Sequence, residues 1–281
     1  MNNIKAVVFD MDGVLRIGNQ IITGAENILV KLRQNNIKTM IVTNECRYTE
    51  NELLEDLDNL GLVVPTETII YTAALSISDY MREKIVKFPQ KYFRATVVGE
   101  LGLYIAINKL NKYQNFEYIE SLADTLEYDN LYLIIGAVNK IKINHLNKIL
   151  KWIKKGAKVI TTCKDACDPS SKGDFVLGMP NHMLHMVGYN IKTKSYSTGK
   201  PHPIFKKKIM NSLKNIKENE ILFVGDTIYT DIRLAEESGF KSCLVLSGNS
   251  NKDTHKSYVN EPDLTINSVN DLFDLINPVS L

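Results

Sequence analysis

Two short apolar runs in this sequence carry no polar residue at alternate positions, and each leads directly into an acidic segment. Residues 6–9 precede the segment 10–13, and residues 221–224 precede the segment 225–231. A strand with one exposed face alternates apolar and polar residues, whereas a continuous apolar run is typical of a strand buried on both faces of a parallel sheet. The runs therefore favour an α/β fold in which helices cover both faces of a parallel sheet.

The rest of the chain shows the alternation of strand and helix signals that such a sheet requires. In the first part, the pattern predicts strands at 4–9, 37–42 and 68–71 and helices at 25–35, 49–60 and 73–87. A second set of signals predicts strands at 95–98, 131–135 and 159–162 and helices at 101–113, 143–155 and 183–188. After residue 199 the first rhythm resumes, with strands at 221–224, 242–246 and 264–266 and helices at 204–213, 231–238 and 269–276.

This order predicts a doubly wound parallel sheet that is interrupted by a second, inserted α/β domain. We expect the core domain to comprise residues 1–87 and 197–281, and the inserted domain to comprise residues 88–196. The inserted segment, at about one hundred residues, falls within the usual size range of a domain.

The two acidic segments are predicted to meet at one edge of the core sheet. In open α/β sheets the ligand crevice lies beyond the carboxyl ends of the strands. Up to four carboxylates, from Asp10, Asp12, Asp226 and Asp231, would converge there and would repel one another without a cation. Such an oxygen-rich site suits Mg²⁺, which one or two carboxylates tend to hold together with substrate phosphate.

Composition and charge exclude several classes of protein. The 34 basic and 32 acidic residues are well mixed along the chain, which argues against a nucleic-acid partner. No apolar stretch approaches the roughly twenty residues that a membrane-spanning helix needs. The four cysteines are scattered, and the chain starts without an apolar secretory segment, so we expect a soluble cytoplasmic protein.

Two further segments complete a recognisable set of motifs. Thr43 and Asn44 follow the second predicted strand, and Lys200 lies just before a predicted helix. Taken in order with the two acidic segments, these residues resemble the motifs of the haloacid dehalogenase superfamily of phosphotransferases. The resemblance extends over the core strands from residue 6 to residue 231.

The resemblance implies a role for each of these residues. Asp10 would be the nucleophile that forms an aspartyl-phosphate, and Asp12 would protonate the leaving alcohol and then deprotonate water. Mg²⁺ would be bound by the Asp10 carboxylate, the Asp12 main-chain carbonyl and Asp226, with Asp231 orienting metal-bound water. Thr43, Asn44 and Lys200 would hold the phosphoryl group. The presence of Asp12 favours a phosphatase over a dehalogenase, because superfamily dehalogenases lack an acid there.

The spacing of the motifs places the inserted domain. The predicted strand, helix and strand nearly fill the chain from Asp10 to Thr43, whereas the stretch from Thr43 to Lys200 is long enough for a cap domain. Asp226 and Asp231 have the five-residue spacing of the branch that contains 4-nitrophenylphosphatases, pyridoxal phosphate, phosphoglycolate and nucleotide phosphatases. Many members of that branch form dimers through the cap, so the resemblance also leaves a homodimer open.

The sequence departs from the branch next to the phosphate motif and in the cap. Glu45 and Cys46 replace the usual residues after Asn44; the Glu45 side chain either points away from the pocket, which we favour, or binds a cationic part of the substrate. Cys46 has no neighbouring histidine to activate it and is expected to be inert. In the cap, Asp165, Asp168 and Lys172 are candidates for substrate contacts.

These inferences together predict a magnesium-dependent phosphatase that acts on a small phosphorylated metabolite. Two alternatives stay open at this point. The same residues could transfer the phosphoryl group to an alcohol rather than to water, or the fold could serve a catalytically silent binding protein. Every catalytic position is filled here, which weighs against the silent alternative.

Overall fold

Two separate parallel sheets organise the chain. The computed structural model describes residues 3–123, 128–164, 167–169, 175–177, 179–188, 194–250 and 261–276. Strands and helices are numbered in chain order. The larger sheet has six strands in the spatial order β15 (Leu264–Ile266), β14 (Lys241–Val245), β13 (Ile221–Gly225), β1 (Ala6–Phe9), β4 (Lys38–Thr43) and β5 (Ile69–Thr72).

The second sheet is built from the segment that the sequence assigned to an inserted domain. Its spatial order is β12 (Ser195–Ser197), β9 (Lys158–Thr161), β8 (Leu131–Ile135), β6 (Phe93–Val98) and β7 (Phe116–Tyr118), and all its paired strands are parallel. The domain division at residues 88 and 196 stays a proposal, and β12 extends one residue beyond it. Two short antiparallel pairs complete the strands of the described residues: β2 (Arg16–Ile17) with β3 (Gln20–Ile21), and β10 (Cys167–Pro169) with β11 (Phe175–Leu177).

Nine α-helices connect and cover these strands within the described residues. They are α1 (Ala25–Gln34), α2 (Glu50–Asn59), α3 (Ala73–Lys87), α4 (Leu101–Asn108), α5 (Ile143–Lys154), α6 (Met179–Gly188), α7 (Pro203–Ser212), α8 (Arg233–Ser238) and α9 (Leu272–Ile276). Three predicted helices begin or end in a different helical form: a 3₁₀ turn at Lys109–Lys112 follows α4, a π turn at Ile228–Ile232 precedes α8, and a 3₁₀ turn at Val269–Asp271 precedes α9.

The uninterrupted apolar sequence of β1 is explained by burial on both of its faces. Val7 and Phe9 pack into the apolar cluster that contains Leu29 of α1, whereas Ala6 and Val8 pack into the opposite cluster, which contains Phe205 of α7. Since successive side chains of a strand point to opposite faces, both faces of β1 are buried. The doubly wound α/β fold predicted from the sequence is confirmed.

Strand register brings three strand ends together. β1 lies between β13 and β4, and Phe9 is the partner of Val224 on one side and of Ile41 on the other. The residues that follow these partners in parallel strands therefore emerge at the same edge of the sheet. Within the described residues, no helix is long and apolar enough to cross a membrane.

One close backbone contact joins the second sheet to the first. The Gly102 amide, in the first turn of α4, donates a hydrogen bond of 2.8 Å to the Arg47 carbonyl after β4. A Cβ atom at Gly102 would lie 2.3 Å from both the carbonyl carbon and the oxygen of Tyr48. Only a residue without a side chain allows the helix to approach this loop so closely.

We predict that Gly102→Ala weakens the docking of α4 against this loop. Overpacking of a tight contact typically costs about 1–3 kcal/mol, and we expect the free energy of unfolding in urea to fall by that amount. Gly188→Ala is the matched control, because a Cβ atom there meets no atom within 4 Å. Equal stability of the two variants would contradict the proposed close packing.

Candidate active site

The edge of the larger sheet where β1, β13 and β4 end carries a buried cluster of charged side chains. Asp10 directly follows β1, and its amide donates a 2.8 Å hydrogen bond to the Val224 carbonyl of β13. Asp226 directly follows β13, and Thr43 is the last residue of β4. Parallel pairing thus brings together three of the residues that the sequence identified.

Lys200 is the cation of this cluster. Its Nζ atom lies 2.7 Å from Oδ1 of Asp10 and 2.7 Å from Oδ1 of Asp231, and it also donates to the Val42 carbonyl over 3.3 Å. Burial alone would lower the pKa of Lys200, but the charges of Asp10 and Asp231 outweigh burial and raise it above its ordinary value. The ammonium group is therefore charged at neutral pH and bridges the first and last acidic segments.

Main-chain and hydroxyl donors hold Asp226 in place. Its Oδ2 atom accepts a 2.6 Å hydrogen bond from the Asn249 amide, and its Oδ1 atom accepts one of 2.9 Å from the Thr227 hydroxyl. A Cβ atom at Gly13 or at Gly248 would lie 2.2 Å or 1.9 Å from Asp226 Oδ2. Glycine at both positions lets two loops close around this carboxylate, and Gly13 also has a φ angle of +84°.

Asp10, Asp226 and Asp231 together form a candidate metal site. Each offers a carboxylate oxygen, and these oxygens lie within 4.8 Å of one another. Burial is the main reason why the pKa of Asp10 is raised well above its usual range, and Asp231 and Asp226 add to the effect. Burial and Asp231 likewise raise the pKa of Asp226 to about 7.

The charges of this cluster fit a divalent cation. Three carboxylates face one ammonium group, so the fully ionised cluster has an excess of negative charge in a buried place. Hard oxygen donors are the ligands that Mg²⁺ prefers, and bound cations reverse the local electrostatics of such sites. The predicted metal contact through the Asp12 carbonyl stays a prediction.

Asp12 lies outside this carboxylate cluster and has a cation of its own. Its Oδ1 atom accepts a 2.9 Å hydrogen bond from Nε of Arg16, and the Arg16 guanidinium also contacts Asp56 of α2. Burial raises the pKa of Asp12 most strongly, the Arg16 charge opposes that rise, and the Glu45 charge adds to it. The two aspartates of the first acidic segment thus occupy different electrostatic environments.

The loop at residues 44–48, after β4, connects several parts of the molecule. Its Asn44 side chain accepts a 2.9 Å hydrogen bond from the Lys200 amide, and the Glu45 carbonyl accepts one of 3.1 Å from the Ala73 amide. The Thr43 hydroxyl accepts from the Glu45 amide over 3.0 Å. The loop therefore holds the Asn44 side chain against the main chain of Lys200. Phosphate binding by Thr43, Asn44 and Lys200 stays a prediction.

The two unusual residues of this loop are both buried and paired. Glu45 accepts hydrogen bonds from the Arg47 amide at 2.6 Å and from Arg47 Nε at 3.0 Å, so its carboxylate binds Arg47. Cys46 Sγ accepts a 3.2 Å hydrogen bond from the Ala137 amide, and burial raises the pKa of its thiol to about 12. A thiol with that pKa is not a nucleophile at neutral pH.

The structure describes none of the three side chains that were predicted to contact substrate from the cap. Asp165 and Lys172 lie outside the described residues. Asp168 belongs to β10, but its side chain is outside the description as well. All three stay predictions.

Sequence reasoning missed two groups of residues at this site. Arg16 follows Asp12 by four positions on a hairpin, so no helical spacing signalled their contact. The Ser247 hydroxyl donates a 2.7 Å hydrogen bond to the Gly13 carbonyl, and the Asn249 amide reaches Asp226. Gly248, two residues beyond the predicted strand at 242–246, was the one signal that a loop approaches the site there.

Comparison with known proteins agrees with this geometry. A family model described as haloacid dehalogenase-like hydrolase matches residues 7–111, and a HAD-hydrolase-like model matches residues 197–272. The chain is similar to dihydroxyacetone phosphatase of Corynebacterium glutamicum, with 28% identity over 265 residues, which covers 94% of this chain and 89% of that protein. It is also similar to ribonucleotide monophosphatase NagD of Escherichia coli, with 27% identity over 250 residues that cover 89% and 90% of the two chains.

Solved structures show the same similarity over nearly the whole chain. The crystal structure of hypothetical protein PH1952 from Pyrococcus horikoshii superposes with a TM-score of 0.78 at 25% identity, covering 96% of this chain and 98% of the other. The structure of NagD from Escherichia coli gives a TM-score of 0.77 at 25% identity, with the same coverage. Both the core sheet and the second sheet therefore have counterparts in known structures.

The Glu45 ion pair predicts a pH-dependent contribution to stability. Burial alone would raise the pKa of Glu45, but the hydrogen bonds and charge of Arg47 lower it overall. Ionised Glu45 therefore stabilises the folded state above its unfolded pKa of about 4.3, and this contribution is lost as the pH falls through the lower folded pKa. We expect Glu45→Gln to reduce the free energy of unfolding at neutral pH by about 1–2 kcal/mol.

Urea denaturation of both proteins across the acid range measures this effect. The two curves should converge below the folded pKa of Glu45. Glu117→Gln is the control, because its pair with Arg94 is 46% exposed at the carboxylate and 30% at the guanidinium, where such pairs contribute about 0–1 kcal/mol. A difference that persists unchanged in acid would contradict the explanation.

The carboxylate cluster predicts stabilisation by Mg²⁺. At a concentration one hundred times its dissociation constant, a bound ion should stabilise the protein by about 2.7 kcal/mol. Asp226→Asn should lose most of this stabilisation. Without the cation, the variant should be at least as stable as the original chain, because one of three crowded carboxylates has gone.

Thermal unfolding with Mg²⁺ and with chelator measures both effects. Glu237→Gln is the control; this residue pairs with Arg233 on the surface and should leave the response to Mg²⁺ unchanged. An unaltered response in Asp226→Asn would argue against a metal at this cluster.

Proposed function

The chain belongs to the haloacid dehalogenase-like hydrolases, and from this membership we propose that it is a magnesium-dependent phosphatase of small phosphomonoesters. The observation that supports the proposal best is the contact of one buried lysine with two aspartates. Lys200 lies 2.7 Å from both Asp10 and Asp231. This arrangement combines a nucleophile with a fixed positive charge, as transfer of an anionic phosphoryl group demands.

The first proposed step is attack of the Asp10 carboxylate on phosphorus. An Asp10 oxygen forms a bond to phosphorus while the bond from phosphorus to the ester oxygen breaks. Asp12 gives its proton to the departing alcohol, so that no free alkoxide forms. Thr43, Asn44 and Lys200 hold the phosphoryl oxygens during the transfer.

The second proposed step returns Asp10 to its original state. Asp12, now ionised, takes a proton from a water molecule whose oxygen bonds to phosphorus. The bond between phosphorus and the Asp10 oxygen breaks, and inorganic phosphate leaves. Splitting one difficult displacement into two easier ones is the general advantage of covalent catalysis.

The acidic cluster would hold the metal for both steps. Asp10, Asp226 and the main-chain carbonyl of Asp12 are the proposed ligands of Mg²⁺, and Asp231 completes the acidic set. When bound, the ion would neutralise charge on the phosphoryl group and on the carboxylates that surround it.

The substrate is proposed to be a small phosphorylated metabolite. The named activities of the relatives, on dihydroxyacetone phosphate, sugar phosphates and ribonucleotides, define the classes to examine first. We also propose a cytoplasmic location, which agrees with the buried free thiols of Cys46 and Cys243. Dimer formation through the cap stays a prediction.

We predict that the protein releases phosphate from at least one such metabolite in the presence of Mg²⁺ and not with chelator. The panel should contain dihydroxyacetone phosphate, glycerol phosphate, phosphoglycolate, sugar phosphates, pyridoxal phosphate and ribonucleoside monophosphates. Asp10→Asn should abolish release, because an amide cannot attack phosphorus. Asp12→Asn should bind substrate yet lose turnover by a factor of about 10²–10⁴.

Lys154→Gln, a change at the end of helix α5, which packs against the second sheet, should leave this activity unchanged. Addition of an alcohol acceptor separates hydrolysis from transfer, since a transferase would produce a phosphorylated alcohol at the expense of free phosphate. Release of phosphate by Asp10→Asn at the original rate would refute the proposed nucleophile. Failure to release phosphate from any member of the panel would refute the phosphatase proposal.

A further inference from the structure

A buried arginine beside the active site has no role in the mechanism described so far. Arg16 is 6% exposed, although it belongs to a two-residue strand in a short surface hairpin. Arginine is rarely this buried unless it is paired. Its burial therefore points to a specific function for the guanidinium group.

Two of the three nitrogen atoms of the Arg16 guanidinium contact carboxylates. Nε donates to Oδ1 of Asp12 over 2.9 Å, and Nη1 contacts Oδ2 of Asp56. Asp56 belongs to α2, a helix that packs Leu53 and Leu57 into the core. The guanidinium therefore links Asp12 to a helix of the core rather than to another loop.

The main chain of Arg16 is fixed to the same turn. The Gly13 amide donates to the Arg16 carbonyl over 2.7 Å, and the Arg16 amide donates to the Met11 carbonyl over 3.2 Å. These bonds attach Arg16 to the residues on either side of Asp12. The position of the guanidinium relative to the Asp12 carboxylate is thus defined through the backbone as well as through the side chains.

We propose that Arg16 is a positioning residue for Asp12, anchored by Asp56, and that it sets which Asp12 oxygen carries the transferred proton. With Oδ1 occupied by the Arg16 N–H group, Oδ2 is the atom that gives a proton to the leaving alcohol and later receives one from water. Arginine suits this task because its planar, forked group can fix two carboxylates in defined directions at once.

Direct substrate binding by Arg16 is a weaker explanation. Substrate phosphate would have to reach a guanidinium that is almost fully buried and already contacts two carboxylates. A purely structural ion pair is the other alternative, and it predicts that loss of Arg16 affects all substrates equally. The positioning role can therefore be separated from a purely structural ion pair by comparing substrates that differ in their need for a proton.

The leaving group provides this comparison, and the inference rests on the proposed phosphatase activity. An alkyl phosphate releases an alkoxide that requires protonation, whereas 4-nitrophenyl phosphate releases a phenolate that the nitro group stabilises. The parameter kcat/KM is informative because it reports only steps up to departure of the alcohol or phenol. Hydrolysis of the intermediate, which is common to both substrates, does not affect it.

We expect Arg16→Gln to lower kcat/KM for glycerol phosphate by about 10- to 100-fold, as misplacement of a catalytic group does. The loss for 4-nitrophenyl phosphate should be less than about threefold, since the proton of Asp12 is not needed there. Asp56→Asn removes only the anchor of Arg16. It should also lower kcat/KM more for glycerol phosphate than for 4-nitrophenyl phosphate, but by a smaller factor than Arg16→Gln. Arg94→Gln, which removes a cap ion pair with Glu117, is the matched control and should change neither value.

The outcomes separate the two levels of the proposal. If the original protein releases phosphate from neither substrate, the phosphatase proposal itself fails. If it is active and both Arg16→Gln and Asp56→Asn lower the two kcat/KM values equally, or leave both unchanged, the positioning role is wrong and the phosphatase proposal stands. Should Arg16→Gln not fold, Asp56→Asn alone decides, because Asp56 is about half exposed and is not part of the apolar core.

Discussion

Crowding of like charges at the buried end of a parallel sheet determines how this molecule is arranged. Asp10 and Asp226 are placed together by strand pairing, Asp231 lies beside them, and burial makes the charged forms of Asp10 and Asp226 costly. Lys200 relieves part of this repulsion through its contacts with Asp10 and Asp231. Because Lys200 comes from the segment that returns from the second sheet, the electrostatic balance of the core depends on the position of that segment.

The loop at residues 44–48 extends this dependence to the second sheet. It receives hydrogen bonds from Lys200, from Gly102 at the start of α4 and from Ala137 after β8. Asn44, a proposed phosphate-binding residue, therefore lies in a loop that contacts the second sheet, and Thr43 directly precedes that loop. A rearrangement of that sheet would therefore act on the pocket through this loop. Cys46 takes part directly, because its sulfur accepts the Ala137 hydrogen bond, and Glu45 holds the loop through Arg47.

Much of the fold and the centre of the site could be predicted from the sequence. The continuous apolar strands and their acidic ends were sufficient to place Asp10 and Asp226 at one sheet edge, because parallel strands share their direction. Arg16 and Asn249 could not be found in this way, since their contacts depend on how a hairpin and a loop fold back over the strand ends. The π turn at Ile228–Ile232 was also missed, because hydrophobic periodicity does not distinguish it from the first turn of an α-helix.

The two aspartates of the first acidic segment show how one short turn can prepare different chemistry. Asp10 contacts a lysine inside a cluster of carboxylates, whereas Asp12 contacts an arginine outside it. In the proposed mechanism, the nucleophile Asp10 must stay ionised close to other negative charges, and the proton donor Asp12 must gain and lose its proton within one cycle. Separate cations on separate elements allow the two requirements to be met only two residues apart, since a change at Lys200 or at Arg16 alters one aspartate without directly altering the other.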